Sequence, residues 1–268
     1  MRQRFAEVDP VSHEFFRIDI GGGVELDGWC LKPGDFDPEK KYPVLFHVYG
    51  EPAGQVVLDR WGGRTALWHR MLVQQGTIVI AVDNRGTPAP RGRAWRKSIY
   101  RQIGILSSAD QAAATRALLD ERSYLDPKRV AIWGWSGGGS STLNALFRYP
   151  DLYQTGISVA PVPDMHLYDT IYQERYMGLP DDNQNGYREG SPIRYAENLE
   201  GRLLLIHGTG DDNCHYQGAE LLINRLIKHN KPFSMFAYPN RSHSISEGKN
   251  TSLHLFGLMT EFLGASDR

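Results

Sequence analysis

Short apolar runs recur along this chain, each giving way to a loop rich in Gly, Asn, Asp or Pro and then to a longer amphipathic stretch. The runs near 44–49, 77–83, 129–134, 156–160, 202–207 and 233–238 read as buried strands. The stretches near 62–75, 105–122, 137–148, 217–229 and 251–263 read as helices. A hairpin comes first, with strands near 15–20 and 24–31 around Gly21-Gly22-Gly23. Strands alternating with helices predict an α/β fold, a mostly parallel central sheet with helices on both faces. Residues 180–191, with Asp181, Asp182, Asn183, Asn185 and Gly186, read as a polar surface loop. Internal repeats and low-complexity tracts are absent from the sequence.

One strand-to-helix junction carries a chemical pattern. The apolar run Arg129-Val130-Ala131-Ile132-Trp133 leads into Gly134-Trp135-Ser136-Gly137-Gly138, and a helix follows. Strand, Gly-x-Ser-x-Gly turn and helix together form the context of a nucleophile elbow. So sharp a turn needs small flanking residues, which Gly134 and Gly138 supply. The serine hydroxyl is raised above the sheet beside a helix N-terminus that favours anions. With 28 glycines in the chain the bare pattern is weak, so the partners of Ser136 decide.

In such a site an acid and then a histidine follow the serine along the chain. The run Leu203-Leu204-Leu205-Ile206 enters the loop His207-Gly208-Thr209-Gly210-Asp211-Asp212-Asn213. The next strand enters Pro239-Asn240-Arg241-Ser242-His243. Open α/β sheets place their sites at these C-terminal strand ends. Nine histidines are present. Only His243 lies between the last strand and the last helix; His207 reads as packed, His229 and His254 as helical, and His215 as a weak competitor. Either Asp211 or Asp212 could orient the imidazole, the other satisfying loop N–H groups or facing solvent.

These residue types suit one another. A serine hydroxyl needs an adjacent base to act as a nucleophile near neutral pH. Histidine can take that proton and later return it to a leaving group. A buried carboxylate fixes the imidazole tautomer and stabilises the imidazolium. The N–H of Gly137, directly after the serine, is one candidate oxyanion donor. Tyr49, at the end of the strand Pro43 to Val48, is the second, although periodicity alone favours a core tyrosine there.

Gly-Trp-Ser-x-Gly-Gly, His-Gly-Thr-x-Asp-Asp-Asn and Val-Tyr-x-x-Pro together resemble the catalytic domain of the prolyl oligopeptidase family, in its dipeptidyl peptidase IV-like branch. The segment Tyr172-Gln173-Glu174-Arg175-Tyr176-Met177-Gly178-Leu179-Pro180 sharpens the likeness. The resemblance runs from about Val24 to Leu263 and implies an α/β-hydrolase fold. It also implies a serine peptidase acting after proline or alanine through an acyl-enzyme. Matched by position, Ser136 is the implied nucleophile, Asp211 the triad acid, His243 the base and Tyr49 the oxyanion tyrosine. Val162, Tyr168 and Tyr172 match a pocket for proline, whose ring buries well against flat faces. Asn213 matches a residue that binds the preceding carbonyl.

The chain also departs from the family pattern. Gly137 stands where a tyrosine is usual, Met165 where a tryptophan is usual and Cys214 where an aliphatic residue is usual. The expectation is a wider or more adaptable pocket, since Met is flexible. The resemblance further implies an N-terminal β-propeller bearing paired glutamates that grip a substrate's amino end. This chain has no counterpart of it, so either an excised catalytic domain or a propeller-less relative is expected; the first is favoured, with residues 1–12 as an entering linker and a propeller in a longer parent. The runner-up reading is an esterase or acyl hydrolase on the same triad. A binding module without activity is the third.

Composition narrows the picture modestly. A chain of 268 residues suits one large α/β domain with a sizeable core. A net charge of −1 leaves no basic footprint for nucleic acid or anionic membrane. No apolar run approaches membrane-spanning length, and no signal-peptide pattern opens the chain. Cys30 and Cys214 are too few for a disulfide framework and lack metal-ligand spacing. Walker, His-Glu-x-x-His and dinucleotide fingerprints are missing, so neither metal nor cofactor is expected. A peptide is the expected partner, with a homodimer left open. Arg85, in the loop Asp83 to Gly86, reads as a structural arginine that holds loops together.

Overall fold

The computed structural model describes residues 11–264. Most of the linker expected over 1–12 therefore lies outside the described residues. Eight strands form one sheet: β1 (Glu14–Asp19), β2 (Glu25–Leu31), β3 (Tyr42–His47), β4 (Ile78–Asp83), β5 (Leu125–Trp135), β6 (Thr155–Val159), β7 (Arg202–Gly208) and β8 (Ser234–Tyr238). Their order across the sheet is β1-β2-β4-β3-β5-β6-β7-β8. From β4 to β8 every pairing is parallel, while β1 and β2 join antiparallel at one edge. This is the α/β-hydrolase architecture.

The hairpin forms because three consecutive glycines accept positive φ, at 87°, 63° and 74° for Gly21, Gly22 and Gly23. The central strands are buried on both faces: all six residues of β4 and all five of β6 are buried. Parallel strands covered by helices on each side read as continuous Val/Ile/Leu runs for this reason. The sheet residues divide between two apolar cores. One contains Val44, Phe46, Ile80, Leu143 and Leu203. The other contains Leu45, Trp68, Val79, Trp133 and Ile206. A smaller third cluster joins Ile99, Ile103, Met165, Met177 and Tyr187. Successive residues of β3 and β7 point into opposite cores, as strand geometry dictates.

Five helices match the amphipathic stretches: α1 (Gly63–Gln74), α3 (Leu106–Glu121), α4 (Gly137–Arg148), α7 (Tyr216–Lys228) and α8 (Thr251–Gly264). Three more were not foreseen: α2 (Gly92–Lys97), α5 (Thr170–Met177) and α6 (Gln184–Gly190). Helix α6 corrects the expectation of a polar surface loop over 180–191. The Asn183 side chain caps it by accepting from the Gly186 N–H. Its Tyr187 is buried, with 1% of its surface exposed, and donates its hydroxyl to the Gly178 carbonyl at 2.8 Å. The many polar residues face out, but the turn is anchored inward.

Arg85 ties the loop after β4 to α3. Its guanidinium makes a two-pronged contact with the buried carboxylate of Asp110, at 2.7 Å and 3.0 Å. The charge is thus spent on structure rather than offered to a ligand.

Candidate active site

The elbow is built from backbone. Ser136 sits between β5 and α4 with φ 59° and ψ −123°, a conformation side-chain-bearing residues rarely adopt. The surroundings leave no alternative. A Cβ on Gly134 would lie 2.4 Å from the Gly138 carbonyl, and one on Gly138 would lie 2.3 Å from the Val48 oxygen. Ser136 is held in place by its own N–H, which donates to the Val159 carbonyl at 2.9 Å. Gly137 opens α4, where the first N–H groups have no acceptor within the helix.

The loop after β7 carries Asp211 and the loop after β8 carries His243. The two loops are laced together. The Gly210 N–H donates to the Arg241 carbonyl at 3.1 Å, and the Thr209 N–H donates to the Tyr238 carbonyl at 2.9 Å. The Asp211 side chain is fully buried, that of His243 is 23% exposed, and His243 Nδ1 lies 2.8 Å from Asp211 Oδ2. Asp212 is exposed and has no part in this contact. The indole of Trp135, next to the serine, donates to the His243 carbonyl at 2.9 Å and fixes the loop against the elbow.

Asp211 is held by more than one histidine. Its Oδ1 accepts the N–H groups of Asn213 and Cys214 at 2.9 Å and 2.8 Å. Its Oδ2 also lies 3.3 Å from His207 Nε2. That nitrogen lies 2.7 Å from the Cys214 carbonyl, which only accepts, so Nε2 carries the proton. Burial alone would raise the pKa of Asp211. The hydrogen bonds from His207 and His243 outweigh it, and the carboxyl lies below its ordinary range. An ionised acid bonded to Nδ1 leaves Nε2 of His243 as the nitrogen free to take a proton.

The serine itself is not yet engaged. Its Oγ lies 3.9 Å from Cys214 Sγ and, among the described residues, makes no hydrogen bond to His243. Burial pushes the Cys214 thiol up to about 12, so this neighbour stays neutral.

A cavity opens beside Ser136 and is walled by Tyr49, Gly137, Val162, Met165, Tyr168 and Tyr172 among others. Tyr49 is brought there by the end of β3: its carbonyl accepts from the Ser141 hydroxyl at 2.9 Å. Burial, with Glu51 nearby, raises the pKa of its phenol, which stays protonated and able to donate. The rings of Tyr168 and Tyr172 meet edge to face at 5.3 Å. Asn213 is at the exposed rim, where its Oδ1 accepts from the Tyr168 hydroxyl at 2.9 Å. The structure therefore gathers Ser136, Tyr49, Gly137, Val162, Met165, Tyr168 and Tyr172 around one space. Cys214 is buried behind the serine and Asn213 lies at the edge.

Beside Gly137, where the sequence led to the expectation of a wider or more adaptable pocket, another side chain is found. Glu51 takes the vacated volume. A Cβ at position 137 would lie 2.7 Å from the Glu51 carboxyl carbon and 2.9 Å from its Oε2. That oxygen accepts the Tyr172 hydroxyl at 2.7 Å. Burial raises the Glu51 carboxyl to about 7, against a lowering from the Tyr172 hydrogen bond. Sequence reasoning passed over Glu51, and also Gln173, which lines the same cavity. The one available signal was the missing side chain at 137, which leaves a space that something must fill.

No group of three or more His, Cys, Asp or Glu among the described residues is arranged to hold a metal ion. No helix among them is long and apolar enough to cross a membrane.

Sheet order, elbow and loop placement define an α/β-hydrolase with its candidate site at the C-terminal strand ends. Residues 65–266 match the Prolyl oligopeptidase family, peptidases of the S9 class. The chain belongs to this family. It is 36% identical over 258 residues to dipeptidyl peptidase 8 of Mus musculus, covering 94% of this chain and 29% of that protein. It is 39% identical over 246 residues to prolyl endopeptidase FAP of Mus musculus, covering 90% of this chain and 32% of that one. Among solved structures, dipeptidyl peptidase 4 of Porphyromonas gingivalis superposes with a TM-score of 0.93 at 41% identity, over 98% of this chain and 37% of the other. The chain thus spans between 29% and 37% of the length of these relatives.

Proposed function

We propose that this chain is the catalytic part of a serine peptidase that cleaves peptide bonds after proline, and less readily after alanine. Ser136 is the nucleophile, His243 the general base and acid, and Asp211 the residue that orients His243. Tyr49 and the Gly137 N–H bind the oxyanion. The observation that carries the reading is the 2.8 Å contact between His243 Nδ1 and Asp211 Oδ2 beside the strained elbow of Ser136. Family membership supports the peptidase class.

On substrate binding the Ser136 hydroxyl turns from Cys214 toward Nε2 of His243, an engagement that often tightens only in the complex. Oγ attacks the scissile carbonyl as His243 takes its proton. The carbonyl oxygen gains charge and is met by the Tyr49 hydroxyl and the Gly137 N–H, donors fixed before the reaction begins. His243 returns the proton to the departing amine, leaving an acyl-enzyme on Ser136. Water, activated by the same histidine, then releases the acid. The edge-to-face tyrosines 168 and 172, with Val162, form the walls against which a proline ring packs.

The test compares Ala-Pro-p-nitroanilide, an amide, with a p-nitrophenyl ester of similar size. A peptidase hydrolyses the prolyl amide in a Ser136-dependent manner and prefers Pro over Ala before the scissile bond. An esterase turns over the ester alone. A preference for Leu or Phe at that position would overturn the proline pocket while leaving the hydrolase.

A further inference from the structure

Glu51 is an unusual wall for a pocket that takes a proline ring. It intrudes into the cavity beside Ser136, in the volume left by Gly137. One carboxylate oxygen accepts the Tyr172 hydroxyl. Among the described residues no Lys, Arg or His forms an ion pair with it, and the Tyr172 hydroxyl is the one side chain that lowers its pKa. An apolar ring seated against this group would strip it of water and return no hydrogen bond, which is costly for a half-buried carboxylate. Gln173 adds a complementary feature on the same cavity. It is 5% exposed, and its amide nitrogen Nε2 has no hydrogen-bond partner among the described residues. The space is thus bordered by an acceptor with capacity to spare and by a side chain whose shielded amide nitrogen has no acceptor among the described residues.

A hydroxyl group is the small function that satisfies both, since it donates once and accepts as well. An ammonium would serve Glu51 but could not accept from Gln173. A methylene would serve neither. We infer that Glu51, with Gln173, makes the pocket selective for a residue before the scissile bond that carries a hydroxyl, with 4-hydroxyproline the ring that also suits the tyrosine walls. The inference rests on the proline-peptidase reading above and adds to it the polar recognition that an apolar pocket would lack. Sites built to bind a substrate hydroxyl discriminate against the analogue without it more sharply than apolar pockets discriminate a methylene.

The experiment measures kcat/KM for three amides that differ in one ring substituent: Ala-Pro-, Ala-(4R-hydroxyPro)- and Ala-(4R-fluoroPro)-p-nitroanilide. The fluoro ring shares the pucker preference of the hydroxylated ring and lacks its donor. The expected result is a preference for the hydroxylated over the fluorinated ring of about ten- to a hundredfold, the range for a hydrogen bond to a charged group. Glu51→Leu should bring that ratio to about one, with fluorophosphonate labelling at Ser136 reporting that the fold and elbow survive. Equal turnover of the hydroxylated and fluorinated amides by the unaltered protein overturns the role of Glu51, whether or not the variant folds. So does a ratio unchanged in a labelled Glu51→Leu protein. Failure of all three amides with Ser136 still labelled overturns the proline-peptidase reading itself, and the Glu51 inference with it.

Discussion

Asp211 and Glu51 are two acids within one site, and their surroundings differ in kind. Asp211 accepts two backbone N–H groups and faces two imidazoles. Glu51 accepts one phenol and otherwise faces apolar or neutral groups. The first therefore sits below its ordinary pKa and the second is raised to about 7. Burial opposes ionisation of both, and the count of donors decides which way each one goes. On the proposed reading, titratable groups pushed apart in this way take separate roles: an anion that orients a base, and a carboxyl that exchanges a hydrogen bond with the substrate.

The largest effect sets the scale for this comparison. Ser136→Ala should lower kcat on a prolyl amide by about 10⁶, as removal of a triad nucleophile does. A loss below about tenfold would place the nucleophile elsewhere and make the contrast between the acids irrelevant to catalysis.

Next comes the acid pair on the loop after β7. Asp211→Asn should cost roughly 10⁴ in kcat, because an amide cannot hold His243 in the productive tautomer. Asp212→Asn should cost far less, since Asp212 is exposed. A reversal of these two effects would break the assignment of Asp211.

Tyr49→Phe removes one phenol while keeping the ring. Loss of an oxyanion donor costs about 10²–10³ in kcat with little change in KM. Near-normal kcat with a lowered melting temperature would return Tyr49 to a packing role.

The smallest effect is on stability, and its sign separates the two acids. Glu51 has a folded pKa raised from 4.5 to about 7. Folding therefore loses stability through Glu51 as pH rises from about 4.5 to about 7, and the loss levels off above that. Glu51→Gln cannot ionise, so its melting temperature relative to the parent should climb between pH 5 and pH 7.5. Asp211 has a lowered folded pKa, so its contribution is present above the unfolded value and is lost only in acid. The Asp211→Asn offset should stay flat across the same window. Calorimetric melts of both variants at several pH values check this, and parallel curves would erase the contrast.

The same two acids mark how far the sequence could be read. The sheet was legible because β4 and β7 are buried on both faces and leave near-continuous apolar runs, Ile78 to Val82 and Leu203 to Ile206. The elbow was legible because its backbone leaves no room for side chains at 134 and 138, a demand written directly as glycine. Asp211 stood in a motif, although its separation from Asp212 needed the resemblance. Helices α2, α5 and α6 went unread because each is under nine residues, and no long periodic pattern can form over that length. Glu51 was invisible for another reason. A glutamate before a proline reads as a solvated turn, and its burial depends on a side chain absent from Gly137 and on a hydroxyl from Tyr172. Compensation between distant positions leaves no local trace.

The central claim is that Ser136 performs amide hydrolysis, and a single titration addresses it. A fluorophosphonate is added in measured steps, the modified residue is located by peptide mass spectrometry, and residual hydrolysis of Ala-Pro-p-nitroanilide is measured at each step. The account predicts one adduct, on the peptide containing Ser136, with activity falling in proportion to its occupancy and reaching zero at one equivalent. An adduct on another residue, or prolyl-amide hydrolysis that survives full occupancy of Ser136, would contradict it.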